Sequence, residues 1–304
     1  MKSKQKIING DCIETMKRLK SCSISAILTD PPAGIAFMTK KWDDYGELIN
    51  FQNAMYDTFT EAFRIMKPGG FVICWAIPRT AHHTAMGLER AGFNIRDKIY
   101  HIFGSGFPKA QDICKQMEAK MKTGKSNSRS LRKIEQEGNG KEYTMKGVNN
   151  GIMGEKKEFS RKEYNPDESV KEWSGYKTPA LKPAAEEWII AQKPMLDEGE
   201  PNEIDYDAPF FYAAKCSTKE RTCNGKVKNN HPTIKSVKLM EYFIDLITPP
   251  ENYKKDFVIL DPFCGSGTTL LAAKKRDVNA IGIEKEEEYV KIIQQRLEAY
   301  GSEK

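Results

Sequence analysis

The sequence lacks any hydrophobic run long enough to cross a membrane. Its longest apolar stretches, such as FVICWAI at 71–77, are far shorter than the about 20 residues that a membrane-spanning helix needs. The basic first residues, MKSKQKIING, have neither the apolar core nor the small-residue cleavage site of a secretory signal. We therefore expect a protein that stays in the cytoplasm and has no membrane partner.

The sequence also lacks a paired-cysteine pattern. Its seven cysteines include no CxxC pair, and an odd number in a long chain does not indicate a disulfide framework, so reduced thiols are expected. Cys216, Cys223 and His231 have a spacing unlike that of known zinc motifs and no fourth partner. The sequence therefore predicts no metal site.

Two common nucleotide-binding patterns are absent as well, the GxGxxG of dinucleotide binders and the lysine-containing phosphate loop. In their place, VILDPFCGSGTTLLAAKK at 258–275 predicts a buried strand, a glycine-rich turn and a helix. Gly265 and Gly267 would let the backbone approach a ligand closely. A second strand, AIGIE, ends at Glu284, at the distance expected for an acid that binds ribose hydroxyls. The sequence thus predicts a nucleoside cofactor rather than one with a diphosphate.

Alternating strand-like and helix-like segments fill most of the chain. The alternation covers the first hundred residues, includes a strand at AEEWIIAQKP (185–194) and resumes at Lys235. It is typical of βαβ units on a parallel sheet. An interrupted and resumed pattern predicts one sheet assembled from two core parts, 1–104 and 185–304.

The segment between the two core parts, 105–184, is rich in Lys, Arg, Ser, Asn and Gly, and only AQDICKQMEAKMK (110–122) predicts a helix. Its excess of basic over acidic residues is as large as that of the whole chain, whose net charge is +6. Composition leaves two interpretations open, a solvated or disordered insertion and a nucleic-acid contact region.

Four motifs in one order carry a resemblance to a known family. They are NGDCIETM at 9–16, Asp-Pro-Pro at 30–32, HPTIKSVKLM at 231–240 and DPFCGSG at 261–267. This order resembles the beta-class DNA amino methyltransferases that use S-adenosylmethionine. In that family the catalytic motif comes first, a target-recognition insert follows, and the cofactor glycine loop comes last.

The resemblance covers nearly the whole chain outside the insert. It implies an α/β, Rossmann-like methyltransferase fold with a seven-stranded mixed sheet, flanking helices and a circularly permuted motif order. The segment 105–184 would be the target-recognition region, between two strands that form a hairpin at the sheet edge. Double-stranded DNA is the implied partner, and a prokaryotic or phage origin is implied; a homodimer and a restriction endonuclease partner stay open.

The resemblance also assigns cofactor contacts. Glu284 would bind the ribose hydroxyls, Asp11 and Cys12 would lie near the adenine, and Lys235 would help to close the pocket, facing the cofactor carboxylate. The full set of implied contacts to S-adenosylmethionine is Asp11, Cys12, Asp30, Lys235, Asp261, Phe263, Gly265, Gly267, Thr268 and Glu284. His231, Pro232 and Thr233 would close the pocket as well, or else His231 only enters the next helix, with Thr233 or Ser236 as the cap.

The family's chemistry explains the Asp-Pro-Pro motif. An exocyclic amine of a base is a poor nucleophile, and the Asp30 carboxylate with the Pro31 carbonyl can accept its two hydrogens. Pro31 and Pro32 fix that carbonyl because each has a restricted φ and no N–H. Proximity and orientation of the amine and the cofactor methyl group then supply most of the rate acceleration.

The sequence departs from the family at the fourth motif position, where Ala33 replaces an aromatic residue. A base extruded from the duplex is stacked on an aromatic or apolar side chain, so Phe37 or Trp42 would have to supply the ring, unless both only pack under the loop. We expect transfer to adenine N6, because Asp before Pro-Pro is commoner in the family's adenine enzymes. The rivals are a cytosine N4 enzyme and an inactive DNA-binding relative; an RNA or protein methyltransferase is disfavoured by the insert and the motif order.

Overall fold

The structure is a computed structural model, and it describes residues 3–37, 40–104, 110–125, 131, 134, 140–146, 158–179, 184–195, 210–212 and 214–301. Two compact units make up the chain. Met1–Gly104 and Ala185–Lys304 form the first unit, and Ser105–Ala184 forms the second.

The first unit alternates strands and helices along both of its segments. In the N-terminal segment these are β1 (Gln5–Asn9), α1 (Cys12–Lys17), β2 (Ile24–Thr29), α2 (Leu48–Ile65), β3 (Met66–Ala76), α3 (Ala81–Arg90) and β4 (Asn94–Ile102). The second unit contains α4 (Ile113–Thr123), β5 (Glu142–Lys146) and β6 (Glu158–Lys162). The C-terminal segment of the first unit contains β7 (Ala185–Gln192), β8 (Phe210–Tyr212), α5 (Thr218–Arg221), α6 (Val237–Ile247), α7 (Glu251–Lys254), β9 (Val258–Asp261), α8 (Thr268–Lys275), β10 (Asn279–Glu284) and α9 (Glu287–Gly301).

One mixed sheet runs through the first unit in the order β1-β10-β9-β2-β3-β7-β4-β8. The first five strands in this order, which are β1, β10, β9, β2 and β3, are parallel to one another. The strand β7 is antiparallel to both of its neighbours, β3 and β4, and β8 is parallel to β4. The prediction of one sheet built from both ends of the chain is confirmed, because β9 pairs with β2. Among the described residues this sheet has eight strands, the predicted seven-stranded mixed sheet with one strand more. The additional strand, β8, is only three residues long and borders β4 at the edge.

Helices cover both faces of this sheet. On one face, Phe243 of α6 and Leu270 of α8 pack with Leu28 of β2. On the other face, Phe51 and Phe59 of α2 belong to a second hydrophobic cluster, which contains Ile27, the residue before Leu28 on β2. Every residue of β2 is buried, as expected for a central strand covered on both faces.

The helix α2 ends three residues before the PGG stretch at 68–70, although glycines of this kind commonly follow the end of a helix. The helix ends at Ile65 because Met66 is already extended, with φ −76° and ψ 144°, and Lys67 precedes a proline, which disfavours the helical conformation. Gly70 lies inside β3 instead, where a Cβ would be 2.6 Å from the Ser25 carbonyl oxygen. The glycine therefore permits close packing of neighbouring strands rather than ending the helix.

The second unit has a folded interior of its own. The helix predicted at 110–122 is present as α4, with Asp112 accepting the Lys115 amide at 3.1 Å and Gly124 left-handed at φ +70°. Glu118, which is buried, accepts the Tyr164 hydroxyl at 2.7 Å. The strands β5 and β6 pair antiparallel. The described part of the insert therefore has ordered structure.

In the described chain, no helix combines the length and the apolar character needed to span a membrane.

Candidate active site at the carboxyl ends of the parallel strands

The predicted catalytic and cofactor motifs follow neighbouring strands of the sheet. Asp30 comes directly after β2, Asp261 ends β9 and Glu284 ends β10. Because β2, β9 and β10 are adjacent and parallel, their carboxyl ends lie at the same edge of the sheet. Ligands bind at this edge in open α/β sheets, where the strand order reverses.

The turn after β9 needs both of its glycines. Gly265 has φ +54° and Gly267 has φ +79°, a conformation that is costly for residues with a Cβ. A Cβ on Gly267 would also lie 2.7 Å from Ile293, and a Cβ on Gly265 would lie 2.9 Å from Nε2 of His231. His231 therefore lies against the turn, and its Nδ1 is 2.5 Å from the Thr233 carbonyl oxygen.

Asp261 holds this turn in place. Its buried carboxylate accepts the Thr29 hydroxyl at 2.8 Å, the Thr269 hydroxyl at 2.6 Å and the Phe263 amide at 3.2 Å. Burial raises its pKa to about 7, although the three donors oppose that shift. Each contact is to a protein group, so in this structure Asp261 ties the glycine turn to β2 and α8.

Glu284 has the contacts and the spare acceptors that a ribose site requires. One oxygen accepts the Gly265 amide at 2.7 Å and the other accepts the Glu286 amide at 2.8 Å. Each carboxylate oxygen can accept a second hydrogen bond, so ribose hydroxyls could bind without displacing the turn. Asn9 pairs with Glu284 in the sheet, and Asp11 follows as the cap of α1, accepting the Ile13 amide at 3.1 Å.

Two further residues of the implied cofactor set have contacts of their own. Cys12 begins α1, and burial raises the pKa of its thiol to about 11, so it is a neutral packing group. Thr268 begins α8. Its hydroxyl oxygen accepts a hydrogen bond from Nη1 of Arg296, which is fully buried, at 3.1 Å. Sequence reasoning missed Arg296, because a lone arginine in an amphipathic helix resembles a surface residue.

Lys235 is bound to Asp30. Its Nζ lies 2.9 Å from Oδ2 of Asp30, 3.9 Å from Oε2 of Glu186 and 3.8 Å from the centre of the Trp75 ring. The sequence-based expectation directed this lysine to the cofactor carboxylate, whereas in this structure it pairs with the predicted catalytic acid. Burial raises the pKa of Asp30, while Lys235 opposes that shift.

The loop after Pro32 is held by a buried carboxylate that sequence reasoning did not identify. Asp43 accepts the amides of Gly34 at 2.7 Å, Ile35 at 3.3 Å and Phe37 at 2.7 Å. Thr80 fixes the start of the loop, since its hydroxyl donates to the Ala33 carbonyl at 2.7 Å. An acid near a turn gives no sequence signal for this role, because the three amides become neighbours only in the folded loop.

The aromatic residues proposed to replace the missing ring remain predictions. Phe37 and Trp42 are both half-buried on this loop.

The structure does not contain the side-chain cap that was the alternative interpretation of the HPTIKS segment. Ser236 occupies the cap position of α6 but its side chain makes no capping hydrogen bond, and Glu220 accepts the Val237 amide instead. Within the described residues, no cluster of three or more His, Cys, Asp or Glu side chains could hold a metal.

We expect Asp43→Ala to destabilise the loop by about 2–4 kcal/mol, because three amides lose a charged acceptor. Methyl transfer should fall with it, while cofactor affinity, which depends on the separate glycine turn, should persist. Urea unfolding monitored by circular dichroism measures the loss. Asp44→Ala is the matched control, since Asp44 is exposed and, among the described residues, its side chain accepts one amide, that of Gly46 at 3.1 Å. Equal stability of the two variants would contradict the role of Asp43.

We expect Gly267→Val and Glu284→Ala each to weaken S-adenosylmethionine binding by about tenfold or more. The valine would collide with Ile293, and the alanine removes a charged acceptor worth about 1.5–3 kcal/mol. Titration calorimetry gives both affinities, with the exposed Glu287→Ala as control. Unchanged affinity in both variants would rule out this cofactor site.

Comparison with known proteins gives one family. A model of a DNA methylase family matches residues 24–295. The Type II methyltransferase M.HindIII of Haemophilus influenzae is 24% identical over 340 residues, covering 96% of this chain and 94% of that protein. The Type II methyltransferase M2.DpnII of Streptococcus pneumoniae is 46% identical over 74 residues, which are 24% of this chain and 26% of that protein.

Two solved structures have the same fold. The M1.HpyAVI–SAM complex superposes with a TM-score of 0.54 at 22% identity, over 97% of this chain and 99% of that one. The cytosine-N4-specific PvuII DNA methyltransferase superposes with a TM-score of 0.60 at 16% identity, over 97% and 87%. The predicted Rossmann-like methyltransferase fold is thereby confirmed.

Proposed function

Because the chain belongs to the DNA methylase family, we propose that it transfers a methyl group from S-adenosylmethionine to N6 of adenine in duplex DNA. One observation carries the proposal. The Asp30 carboxylate follows β2, which lies beside β9, the strand before the glycine turn, and β9 in turn lies beside β10, which ends in Glu284. A catalytic acceptor and a nucleoside site therefore share one edge of the sheet.

S-adenosylmethionine is the cofactor, and the residues present fit it. Gly265 and Gly267 give the turn the left-handed backbone that brings the Gly265 amide to Glu284, and Glu284 keeps spare acceptor positions for ribose hydroxyls. Asp11 and Cys12 would hold the adenine side. When bound, the cofactor supplies an electrophilic methyl group on a sulfonium sulfur.

The protein's own residues prepare the nucleophile. The lone pair on the exocyclic amine nitrogen of adenine is delocalised into the ring. The nitrogen becomes nucleophilic when its hydrogens are held out of the ring plane. The Asp30 carboxylate and the Pro31 carbonyl accept those hydrogens, which also stabilises the positive charge that develops on nitrogen. Pro31 and Pro32 keep the carbonyl fixed. The target base must leave the duplex to reach them.

Transfer to adenine rather than cytosine rests on the acid before Pro-Pro, which is commoner in the adenine enzymes of the family. The second candidate is transfer to N4 of cytosine. It is supported by the fold shared with the cytosine-N4-specific PvuII enzyme, and the fold alone serves both reactions. An inactive DNA-binding relative is the third candidate, because Ala33 cannot stack on a base.

The remaining proposals concern partners. The basic insert, 105–184, would contact phosphates through Lys and Arg and read base edges through Asn, Gln, Ser and Arg side chains. Relatives are named Type II methyltransferases, which supports a restriction endonuclease of the same specificity as partner, and a homodimer is the assembly common for this motif order. A DNA substrate is consistent with a location in the cytoplasm of a prokaryotic or phage-infected cell.

The test is methyl transfer followed by nucleoside analysis. The protein is incubated with methyl-labelled S-adenosylmethionine and duplex DNA from a methylation-deficient strain, and the DNA is digested to nucleosides. We expect the label in N6-methyl-2′-deoxyadenosine. Label in N4-methyl-2′-deoxycytidine would establish the second candidate, and unlabelled DNA despite cofactor binding would support the inactive relative.

A further inference from the structure

Three charged side chains meet beside the predicted catalytic acid, Asp30. Lys235 lies between two carboxylates, 2.9 Å from Oδ2 of Asp30 and 3.9 Å from Oε2 of Glu186. The side chains are 9% exposed for Lys235, 19% for Asp30 and 15% for Glu186. Lys215 completes the group, with its Nζ 2.9 Å from Oε1 of Glu186. Two positive and two negative charges therefore balance here, and three of the four side chains are largely buried, whereas that of Lys215 is 44% exposed.

Glu186 is held at this place by several elements. Trp75 of β3 donates its indole N–H to Oε2 at 3.1 Å, and Lys215 approaches the other oxygen. His101, its partner on β4, has Nδ1 at 3.9 Å from Oε2. The carboxylate is therefore a fixed acceptor on β7, which is separated from β2 and Asp30 by one strand, β3.

Lys235 occupies one acceptor position of the Asp30 carboxylate. Its ammonium lies on Oδ2 of Asp30, where the substrate amine would donate a hydrogen. Moving a buried ammonium away from its nearest partner is costly, because an uncompensated charge is left behind. The ammonium has an alternative binding position, because Oε2 of Glu186 lies 3.9 Å away and the centre of the Trp75 ring 3.8 Å away.

We propose that Glu186 is a positioning residue that accepts the Lys235 ammonium from Asp30 as the substrate amine binds, which frees the Asp30 carboxylate for the amine hydrogens. No bond to carbon or sulfur changes in this step; a hydrogen-bonded ammonium only changes partner. The inference rests on the proposed function, since it assigns a role within the same site.

The charges around the site agree with this role. Burial raises the pKa of Glu186, but Lys235, His101 and Lys215 lower it further than burial raises it, so the group stays well below its ordinary pKa. Glu186 is thus ionised and able to accept an ammonium throughout the physiological range. For Asp30 the charge of Glu186 acts in the opposite direction and raises the pKa.

The first test compares Glu186→Gln with Glu187→Gln. Glutamine keeps the shape and an acceptor for Trp75 but removes the charge. Glu187 is the next residue on β7 and pairs with Lys98 at 3.5 Å, so its side chain points to the opposite face. In single-turnover transfer with labelled cofactor and DNA from a methylation-deficient strain, we expect Glu186→Gln to slow transfer roughly ten- to a hundredfold. Glu187→Gln should stay within about twofold, and cofactor affinity should be unchanged in both.

Two further readouts separate positioning from a merely structural role. In a Lys235→Met background, Glu186→Gln should cause no additional loss beyond about twofold, since no ammonium is left to accept. In the otherwise native protein, Glu186→Gln should move the acidic limb of the rate to lower pH, because removing a neighbouring negative charge lowers the pKa of Asp30.

The outcomes are distinguishable. A wild-type protein that methylates no DNA would overturn the proposed function, and the inference with it. An active wild type with Glu186→Gln at the same rate would overturn the inference alone. Equal losses from Glu186→Gln with and without Lys235, or an acidic limb that moves to higher pH, would assign Glu186 a structural role instead.

Discussion

Replacing Asp30 by alanine is expected to lower methyl transfer by about a thousandfold or more while S-adenosylmethionine still binds. In the proposed mechanism the carboxylate is the charged acceptor for the target amine, and removing a group that acts on the reacting atoms costs about 10²–10⁴ in rate. Most of the proposed cofactor contacts other than Asp30 lie on α1, on β10 and on the turn after β9. Single-turnover transfer and calorimetric titration of the cofactor measure the two effects separately.

Asp30→Ala should also remain folded. The variant leaves Lys235 without its nearest partner, but Glu186 lies 3.9 Å from the same ammonium and limits the cost. Asp44→Ala is the matched control, an exposed acid near the same loop. Turnover within about threefold of wild type in Asp30→Ala would reject Asp30 as a catalytic residue, and lost cofactor binding would mean that it supports the cofactor site instead.

Much of the site could be predicted from short stretches of sequence. Asp30, Asp261 and Glu284 each end a strand with a clear apolar run, and parallel strands bring such ends together without any knowledge of side-chain contacts. The left-handed glycines at 265 and 267 follow from the same local logic, since a strand that turns sharply into a helix needs residues without a Cβ.

The part that could not be predicted depends on distant pairing. Glu186 is 156 residues from Asp30 in the chain and becomes its neighbour only because β7 pairs antiparallel with β3. No motif surrounds His101 in the sequence, yet its pairing opposite Glu186 brings it into the same charged group. The pairing of Lys235 with Asp30 was unforeseen for the same reason, because the fold decides which acids come near this lysine.

Removing the insert should abolish tight DNA binding without unfolding the first unit. Ile102 and Ala185 are paired neighbours on β4 and β7, so an Asn-Gly turn in place of 105–184 would close a short hairpin between antiparallel strands. The Asp30, glycine-turn and Glu284 motifs all lie outside the deleted segment. The shortened protein should therefore bind S-adenosylmethionine with affinity near that of the full chain.

The loss of DNA affinity should come with a loss of salt dependence. Each phosphate neutralised by Lys or Arg contributes about −0.9 to the slope of log affinity against log salt, and the insert's excess of basic residues is as large as that of the whole chain, +6. Fluorescence anisotropy with a labelled duplex at several salt concentrations compares the two proteins. If the shortened protein binds as tightly as the full chain with the same slope, DNA contact belongs to the first unit instead, where KCSTKERTCNGKVKNN at 215–230 is the next basic segment to mutate.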